Sequence, residues 1–299
     1  MRTICSTVRK EENKNSDTHF GGYAFYNCRM AVLVMLTLYF SATGNTKFIA
    51  ELFSRQTEAA CLSIEDEVDF ASFIKASNTI AFCYPIYGSR VPRIMREFVI
   101  KHMADLTGKK LIIFVTQVLF SGDGARVFTD MFWEGTVEVI YAEHFRMPNN
   151  VCNLPLIGVA SPRKIKKYEQ RAGAKMSRAV GDIKQGIIKK HGFSRFSEWL
   201  GKIQGVFWQG DSKSNDSIRG MELRSLNNVK IHGHCNICNL CVIICPMKNL
   251  KFQEGKIAQQ GNCTVCYRCV NHCPKQAITV LIHFRPKKQY RRQEFNKNV

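Results

Sequence analysis

Eight cysteines near the carboxyl end constrain the fold of this 299-residue chain more than any other feature. The first run is Cys235-x-x-Cys238-x-x-Cys241-x-x-x-Cys245, followed by Pro246. It recurs 28 residues later as Cys263, Cys266, Cys269 and Cys273, followed by Pro274. The repeat extends beyond the cysteines, because Leu250 aligns with Ile278 and Phe252 with Val280. The pattern indicates an internal duplication.

The spacing of each run suits a cubic [4Fe–4S] cluster. Three thiolates separated by two residues bind one cube, and the fourth cysteine, three residues further on, binds the cube of the other run. One cluster is therefore predicted at Cys235, Cys238, Cys241 and Cys273, and the other at Cys263, Cys266, Cys269 and Cys245. Zinc is the alternative, because Cys-x-x-Cys pairs also build zinc ribbons. Zinc needs only two pairs and leaves the other cysteines and the prolines unexplained.

Strand-like and helix-like segments alternate between residues 36 and 190. The predicted strands are Leu36–Phe40, Cys61–Ile64 (the weakest), Thr79–Tyr84, Leu111–Thr116 and Val137–Tyr141. Helices are predicted near residues 45–56, 91–103 and 124–133, and apolar residues at steps of three and four from Ile165 to Ile187 predict a long amphipathic helix. Gly173, Gly181 and Gly186 weigh against its continuity. Five short strands interleaved with helices indicate a doubly wound parallel α/β sheet.

A hydroxyl-rich loop follows the first predicted strand, in the segment Tyr39-Phe40-Ser41-Ala42-Thr43-Gly44-Asn45-Thr46. Hydroxyls, a glycine and the amides of a helix N-terminus can surround a phosphate group. A capped helix is the alternative. The chain has no Walker lysine pattern, and no Gly-x-Gly-x-x-Gly follows a strand. Both absences argue against nucleoside triphosphates and dinucleotides. No Ser-His-Asp or metal-hydrolase arrangement is evident either.

The loop resembles the Ser/Thr-x-Thr-Gly-x-Thr motif with which flavodoxins bind the phosphate of FMN. The resemblance implies that two later loops, at residues 84–89 and 116–124, sandwich the isoalloxazine ring, with Tyr87 stacking on it and the backbone of Gly88 responding to protonation at N5. A surface position is the alternative for Tyr87, and residues 147–149 are either a third loop of the site or a turn. The implied cofactor-binding residues are Ser41, Thr43, Gly44, Asn45, Thr46, Pro85, Ile86, Tyr87, Gly88, Thr116, Ser121 and Gly122.

Residues 229–284 resemble bacterial-type two-cluster ferredoxins, and the order of parts resembles the EFR-type flavodoxin–ferredoxin fusion family of anaerobic microbes. The resemblance implies an α/β flavodoxin-like sheet of strand order 2-1-3-4-5 and a small α+β two-[4Fe–4S] ferredoxin domain. The expected boundaries are 1–34 for a disordered extension, 35–190 for the FMN domain, 191–228 for a connecting helix and linker, 229–284 for the ferredoxin domain and 285–299 for a basic tail. Met30 and Met35 are alternative starts.

The formal net charge is +19, of which residues 163–190 and 285–299 carry 13. The alternatives are solvated segments or a surface that docks a redox partner protein with an acidic face. Nucleic acid is disfavoured, because no nucleic-acid motif accompanies the charge. The longest apolar run, residues 31–40, is half the length of a membrane span, which needs about 20 residues. Clustered cysteines without a secretory signal predict the reducing cytoplasm.

Three functions remain open from the sequence. The first is an electron carrier that relays electrons between FMN and two [4Fe–4S] clusters. The second is an iron–sulfur flavoprotein oxidoreductase whose flavin acts directly on a small molecule. The third is a redox-sensing regulator whose basic segments bind a partner according to the state of the clusters.

Overall fold

The apolar segments between residues 33 and 146 form one parallel sheet in a computed structural model of the chain. The structure describes residues 33–88, 90–119, 122–154, 158–209 and 221–292. The strands of the sheet are β1 (Leu33–Tyr39), β2 (Ala60–Ser63), β3 (Ser77–Pro85), β4 (Lys110–Gln117), β5 (Glu138–Arg146) and β6 (Lys189–Lys190). Their order is β2-β1-β3-β4-β5-β6. The predicted order 2-1-3-4-5 is confirmed, and the two-residue β6 adds a sixth strand at one edge.

Helices cover both faces of the sheet. In chain order they are α1 (Asn45–Thr57), α2 (Phe70–Lys75), α3 (Arg93–Lys101), α4 (Met103–Leu106), α5 (Arg126–Thr129), α6 (Pro162–Lys184), α7 (Arg195–Gln209) and α8 (Met221–Leu226). On one face, α1 and α6 bury Phe53 and Met176 against Phe114 of β4. On the other face, α2 to α5 pack on strand residues such as Phe82. Because both faces are covered, the central strands are apolar throughout.

Two predicted elements differ in length from the observed ones. Strand β5 was predicted to end at Tyr141 but continues to Arg146, paired with β4 as far as Gln117. Glu143 interrupts the apolar pattern, yet it is buried as the partner of Lys175 and His191. The helix predicted at 124–133 is shorter, since only the four residues of α5 are helical. After Thr129, backbone bonds of the i to i+3 type replace the helical pattern.

The long amphipathic helix is observed as α6, which spans 23 residues. Ser161 caps it, because its hydroxyl accepts a hydrogen bond from the backbone N–H of Lys164, and Pro162 occupies the first turn. The helix continues through Gly173 and Gly181 and ends before Gly186, whose φ is +70°. Among the described residues, no helix has the length and apolar character required to cross a bilayer.

The cysteine-rich half, residues 229–292, has its own small core. It contains β7 (Val229–Ile231), α9 (Leu240–Ile243), β8 (Leu250–Gln253), β9 (Lys256–Gln259), α10 (Arg268–His272) and β10 (Ile278–Val280). Strand β7 pairs antiparallel with β10, and β8 pairs antiparallel with β9. The sheet and this half belong to one compact unit. Residues 210–220 of the predicted connecting segment 191–228, and most of the 1–34 extension, lie outside the described residues.

Candidate functional site

The loop between β1 and α1 presents the N-terminus of a 13-residue helix at the carboxyl edge of the sheet. Gly44 has a φ of +96°, and its N–H donates to the hydroxyl of Ser41 at 3.2 Å. The first turn of α1 contains no acidic side chain. Thr46 is buried, and its hydroxyl lies 2.8 Å from that of Thr116 at the end of β4. Unpaired amides at a helix start attract phosphate, so the local geometry suits an anion.

A cleft of about 370 Å³, including its part open to solvent, lies between this loop and the ends of β3, β4 and β5. Backbone bonds align the loops, because Ile86 N–H donates to Thr116 O at 2.9 Å and Met147 N–H donates to Gln117 O at 2.8 Å. The residues that line the cleft are Ser41, Ala42, Thr43, Asn45, Thr46, Pro85, Ile86, Tyr87, Thr116, Gln117, Val118, Met147, Pro148 and Asn150. Ligands of doubly wound sheets bind at this edge.

Tyr87 is fixed by a tight turn at the wall of the cleft. Its backbone exchanges two hydrogen bonds with Arg90, each 3.1 Å long, and Gly88 supplies a φ of +57° between them. The phenol oxygen is buried and has no hydrogen-bond partner among the described residues. Burial raises the pKa of this phenol well above its usual range, and the nearby thiol of Cys266 raises it further. Buried hydroxyls normally have a hydrogen-bond partner, so the unpaired hydroxyl of Tyr87 suits a position beside a polar ligand group in the cleft.

A second cavity, of about 360 Å³ including its part open to solvent, lies in the cysteine-rich half. Its lining includes Cys245, Cys263, Cys266 and Cys269, which are the four ligands predicted for one cluster. The hydroxyl of Thr264 also lines it and has no hydrogen-bond partner among the described residues. Burial raises the pKa of the Cys266 thiol to about 12. Four thiols and an unpaired hydroxyl donor in one cavity fit the donor set of a [4Fe–4S] cluster with its sulfur acceptors.

The other four predicted ligands also lie near one another. Burial raises the pKa of the Cys241 thiol to about 11, and Cys235, Cys273 and Cys238 raise it further as neighbouring charges. In both runs a backbone N–H donates to a cysteine sulfur. Ile237 donates to Cys235 at 3.4 Å and Val265 to Cys263 at 3.4 Å, while Asn249 donates to Cys245 and Ala277 to Cys273, both at 3.2 Å. Hydrogen bonds to sulfur of this kind tune iron–sulfur potentials.

Within the described part of the chain, no three His, Cys, Asp or Glu side chains are grouped so that they could hold a single metal ion. A single ion requires its ligands to converge on one point. In a cubic cluster each iron takes a thiolate of its own, so the four sulfurs surround the cube at its corners.

A family model described as a flavodoxin domain matches residues 36–146, which run from within β1 to the end of β5 and include the cleft loops that follow β1, β3 and β4. These residues form a flavodoxin-like domain. The match covers less than half of the chain and does not include the cysteine-rich half. No curated protein matches the chain.

Several solved structures resemble this part of the fold. The Trp repressor binding protein of Bacillus subtilis is 13% identical, has a TM-score of 0.38, and covers 48% of this chain and 96% of its own. The two-electron reduced flavodoxin of Megasphaera elsdenii is 16% identical with a TM-score of 0.34, covering 48% and 98%. Oxidised flavodoxin 2 of Bacillus cereus is 18% identical with a TM-score of 0.33, covering 48% and 97%.

The cleft of the flavodoxin-like domain contains most of the predicted flavin residues. Ser41, Thr43, Asn45, Thr46, Pro85, Ile86, Tyr87 and Thr116 line it, and Gly44 lies in the same loop. Gly88 and Gly122 are not among the lining residues. Gly122 instead faces α7, because a Cβ at this position would come within 2.6 Å of the backbone nitrogen of Gly201. Ser121 lies outside the described residues.

Six lining residues were not named individually as cofactor-binding residues, namely Ala42, Gln117, Val118, Met147, Pro148 and Asn150. Five of them lie in the segments quoted for the site, residues 39–46, 116–124 and 147–149, and the position of these segments after strand ends is the signal that identifies them. Asn150 has no such signal. It lies in the cleft because its amide donates to the carbonyl of Cys266 at 3.3 Å, and this partner is 116 residues away in sequence.

The flavodoxin-like domain and the second cavity share a wall. Cys266, which lines the cavity, is only 8% exposed and packs into the hydrophobic core of the sheet, against which Tyr87 also packs. Asn150, in the cleft, bonds to Cys266, and its own carbonyl accepts from the side-chain amide of Asn271 at 2.8 Å. Arg268 donates to the carbonyl of Ser41 at 2.8 Å. The cleft and the cavity are therefore linked directly through Asn150, which lines the cleft and bonds to the backbone of Cys266, which lines the cavity.

Residues 289–292 form a strap across the phosphate-type loop. The phenol of Tyr290 donates to the side-chain oxygen of Asn45 at 2.6 Å, and Arg292 N–H donates to Thr43 O at 3.0 Å. The guanidinium of Arg292 bonds to Glu169 of α6 at 2.5 Å and lies 3.7 Å from the ring centre of Phe48. The sequence predicts a basic tail at 285–299, but Tyr290 within it is buried, with only 2% of its surface exposed. This packed strap connects the cysteine-rich half to the flavodoxin-like domain.

Proposed function

We propose that this chain is an electron-transfer protein that relays electrons between FMN in the cleft and two [4Fe–4S] clusters in the cysteine-rich half. The observation that carries the proposal is the wall shared by the cleft and the second cavity, where Tyr87 and Asn150 adjoin Cys266. Bound FMN exchanges one or two electrons and each cluster exchanges one, so the protein would convert two-electron into one-electron transfer.

The residues of the chain have distinct roles in this proposal. The amides at the start of α1 and the hydroxyls of Ser41, Thr43 and Thr46 bind the phosphate of FMN. Tyr87 stacks on the isoalloxazine ring, and the backbone of Gly88, which has a φ of +57° in the same turn, responds to protonation at N5. The eight cysteines of the two runs act as metal ligands, and the apolar residues beside them exclude water.

The proposal also names a compartment and a class of partner. Clustered thiols suit the reducing cytoplasm of an anaerobic microbe. The strongly basic chain favours a redox partner with an acidic face, and the association should weaken as the salt concentration rises.

A reductive titration under anaerobic conditions tests this function. The holoprotein should take up about four electrons, two at FMN and one at each cluster. A Thr43→Ala/Thr46→Ala variant should lose FMN, keep its iron and take up about two electrons. Thr57→Ala is the matched control, because the Thr57 hydroxyl bonds to Phe53 O at the far end of α1, and this variant should behave as the wild type. Retention of flavin by the double variant, or uptake of two electrons by the wild type, contradicts the proposal.

A further inference from the structure

The two cysteine runs adopt the same local structure twice. Residues 28 positions apart share a left-handed backbone: the φ values are 55° and 59° at Ile237 and Val265, 59° and 61° at Asn239 and Tyr267, and 49° and 52° at Lys248 and Gln276. The same shift relates the N–H to sulfur bonds at Cys235 and Cys263 and at Cys245 and Cys273. Every position of the first copy, residues 235–252, can therefore be compared with its counterpart in the second copy, residues 263–280.

The second copy docks on the flavodoxin-like domain through three positions. The backbone carbonyl of Cys266 accepts a hydrogen bond from the side-chain amide of Asn150 at 3.3 Å. The side-chain amide of Asn271, which is fully buried, donates to the backbone carbonyl of Asn150 at 2.8 Å. Arg268 donates to Ser41 O at 2.8 Å. These contacts bring one predicted cluster site to the wall of the cleft.

Two of the three corresponding positions of the first copy are exposed, and the third, Leu240, is half-buried. Cys238, the counterpart of Cys266, is exposed. Ile243, the counterpart of Asn271, is 78% exposed, and Ile237 beside Cys238 is 39% exposed. Leu240 stands where the second copy has Arg268. We call Ile237, Cys238, Leu240 and Ile243 the first-copy face. Apolar side chains adjoining a predicted ligand, with polar residues around them, are typical of a protein interaction site.

Basic side chains are grouped around His232, which lies five residues before Ile237 of this face in the chain. The rings of His232 and His234 stack with their centres 5.9 Å apart, immediately before Cys235. Burial lowers the pKa of His232, and the neighbouring Lys230, His234, His283 and Arg285 lower it further, which places all four near this ring. We call these five residues the basic rim. An apolar centre with a basic rim is complementary to a surface that has an apolar centre and acidic edges.

We propose that the first-copy face and its basic rim dock an acidic one-electron redox protein, at the position where the second copy docks the flavodoxin-like domain. The inference rests on the proposed function, since the first cysteine set must hold a cluster. One electron passes from the reduced protein to the partner's metal centre, and no bond or proton moves with it. In this proposal the second copy exchanges electrons with the cleft, and the first copy exchanges electrons with the external partner.

Electron transfer to ferric cytochrome b5, an acidic haem protein, tests the docking face. The dithionite-reduced holoprotein is mixed anaerobically with this acceptor, and formation of ferrous haem gives the second-order rate constant. Lys230→Glu/Arg285→Glu should lower the constant at least tenfold at low ionic strength, and the difference should shrink in high salt. Ile243→Asn should lower it several-fold at both ionic strengths.

The matched control is Lys166→Glu/Lys167→Glu on α6, which changes the net charge by the same amount at exposed positions. It should change the rate constant by less than about twofold. If Lys166→Glu/Lys167→Glu slows the reaction as much as Lys230→Glu/Arg285→Glu, only the overall charge matters. If Lys230→Glu/Arg285→Glu does not slow it, the partner does not dock at this face. Either result overturns the inference. Iron and flavin are assayed in each sample. A wild-type protein without iron refutes the proposed function itself, whereas iron-loaded variants with unchanged rates refute only the docking face.

Discussion

Replacement of Tyr290 by Phe tests whether the strap supports the flavin site. The phenol of Tyr290 donates a 2.6 Å hydrogen bond to the side-chain oxygen of Asn45, and both residues are buried. The other end of the same amide donates to Pro148 O at 2.9 Å, so Asn45 ties the strap to two walls of the cleft. Tyr290→Phe removes the donor and leaves a buried carbonyl oxygen without a partner.

The cost of such a loss is about 1–3 kcal/mol. Since about 1.4 kcal/mol corresponds to a factor of ten, FMN binding should weaken between about 5-fold and 150-fold if the strap holds the phosphate-type loop in its binding geometry. The dissociation constant can be measured by titrating flavin-depleted protein with FMN and following the quenching of flavin fluorescence. The free energy of unfolding of the FMN-loaded protein should fall by about 1–3 kcal/mol in a denaturant titration, a total that includes the loss of FMN affinity.

Tyr267→Phe is the matched control. Tyr267 is also buried and also loses one hydrogen bond, to Val280 O at 2.7 Å, but this bond lies within the core of the cysteine-rich half. It should lower the stability to a similar extent and leave the FMN dissociation constant within about twofold of the wild type. If both variants weaken FMN equally, or if Tyr290→Phe leaves the constant unchanged, the strap does not support the flavin site.

The remaining predictions concern the cysteine ligands and the pH dependence of stability. Cys245→Ala should remove about four of eight irons, from the cluster of the second run. The control is Cys152→Ala, which changes a buried cysteine outside both runs and should retain all of the iron. Loss of the first-run cluster in Cys245→Ala would refute the crossed ligand scheme. Burial lowers the pKa of His144 to about 4. Between pH 6.5 and 4 the unfolded chain therefore binds a proton at this residue that the folded chain does not. The free energy of unfolding should fall by about 3 kcal/mol as the pH falls through this range. His144→Gln should flatten this slope in denaturant titrations, and an unchanged slope would show that His144 is not responsible.

The parts of the site that a local pattern encodes could be predicted from the sequence. The loop from Ser41 to Thr46 joins a short apolar strand to a helix, and its hydroxyls and glycine lie within a few residues of each other. The parallel sheet followed from the alternation of strands and helices, and its strand order followed from the resemblance to flavodoxins. Tyr87 and Thr116 could be predicted for the same reason, since each lies at or just beyond the end of a predicted strand.

Features that depend on distant partners could not be predicted. Strand β5 extends through Glu143 because Lys175 and His191 both contact its buried carboxylate, at 3.0 and 2.8 Å, and nothing near residue 143 in sequence indicates this. The position of Asn150 depends on Cys266, and the strap depends on Asn45, which is 245 residues from Tyr290. In each case a side chain is buried by a partner that the periodicity of its own segment does not reveal.

Chemical analysis of the protein purified without oxygen tests the central claim most directly. The account predicts about eight irons, about eight sulfides and one FMN per chain, in a brown protein that bleaches on reduction. A colourless preparation, or one whose cysteines hold only zinc, would contradict the account.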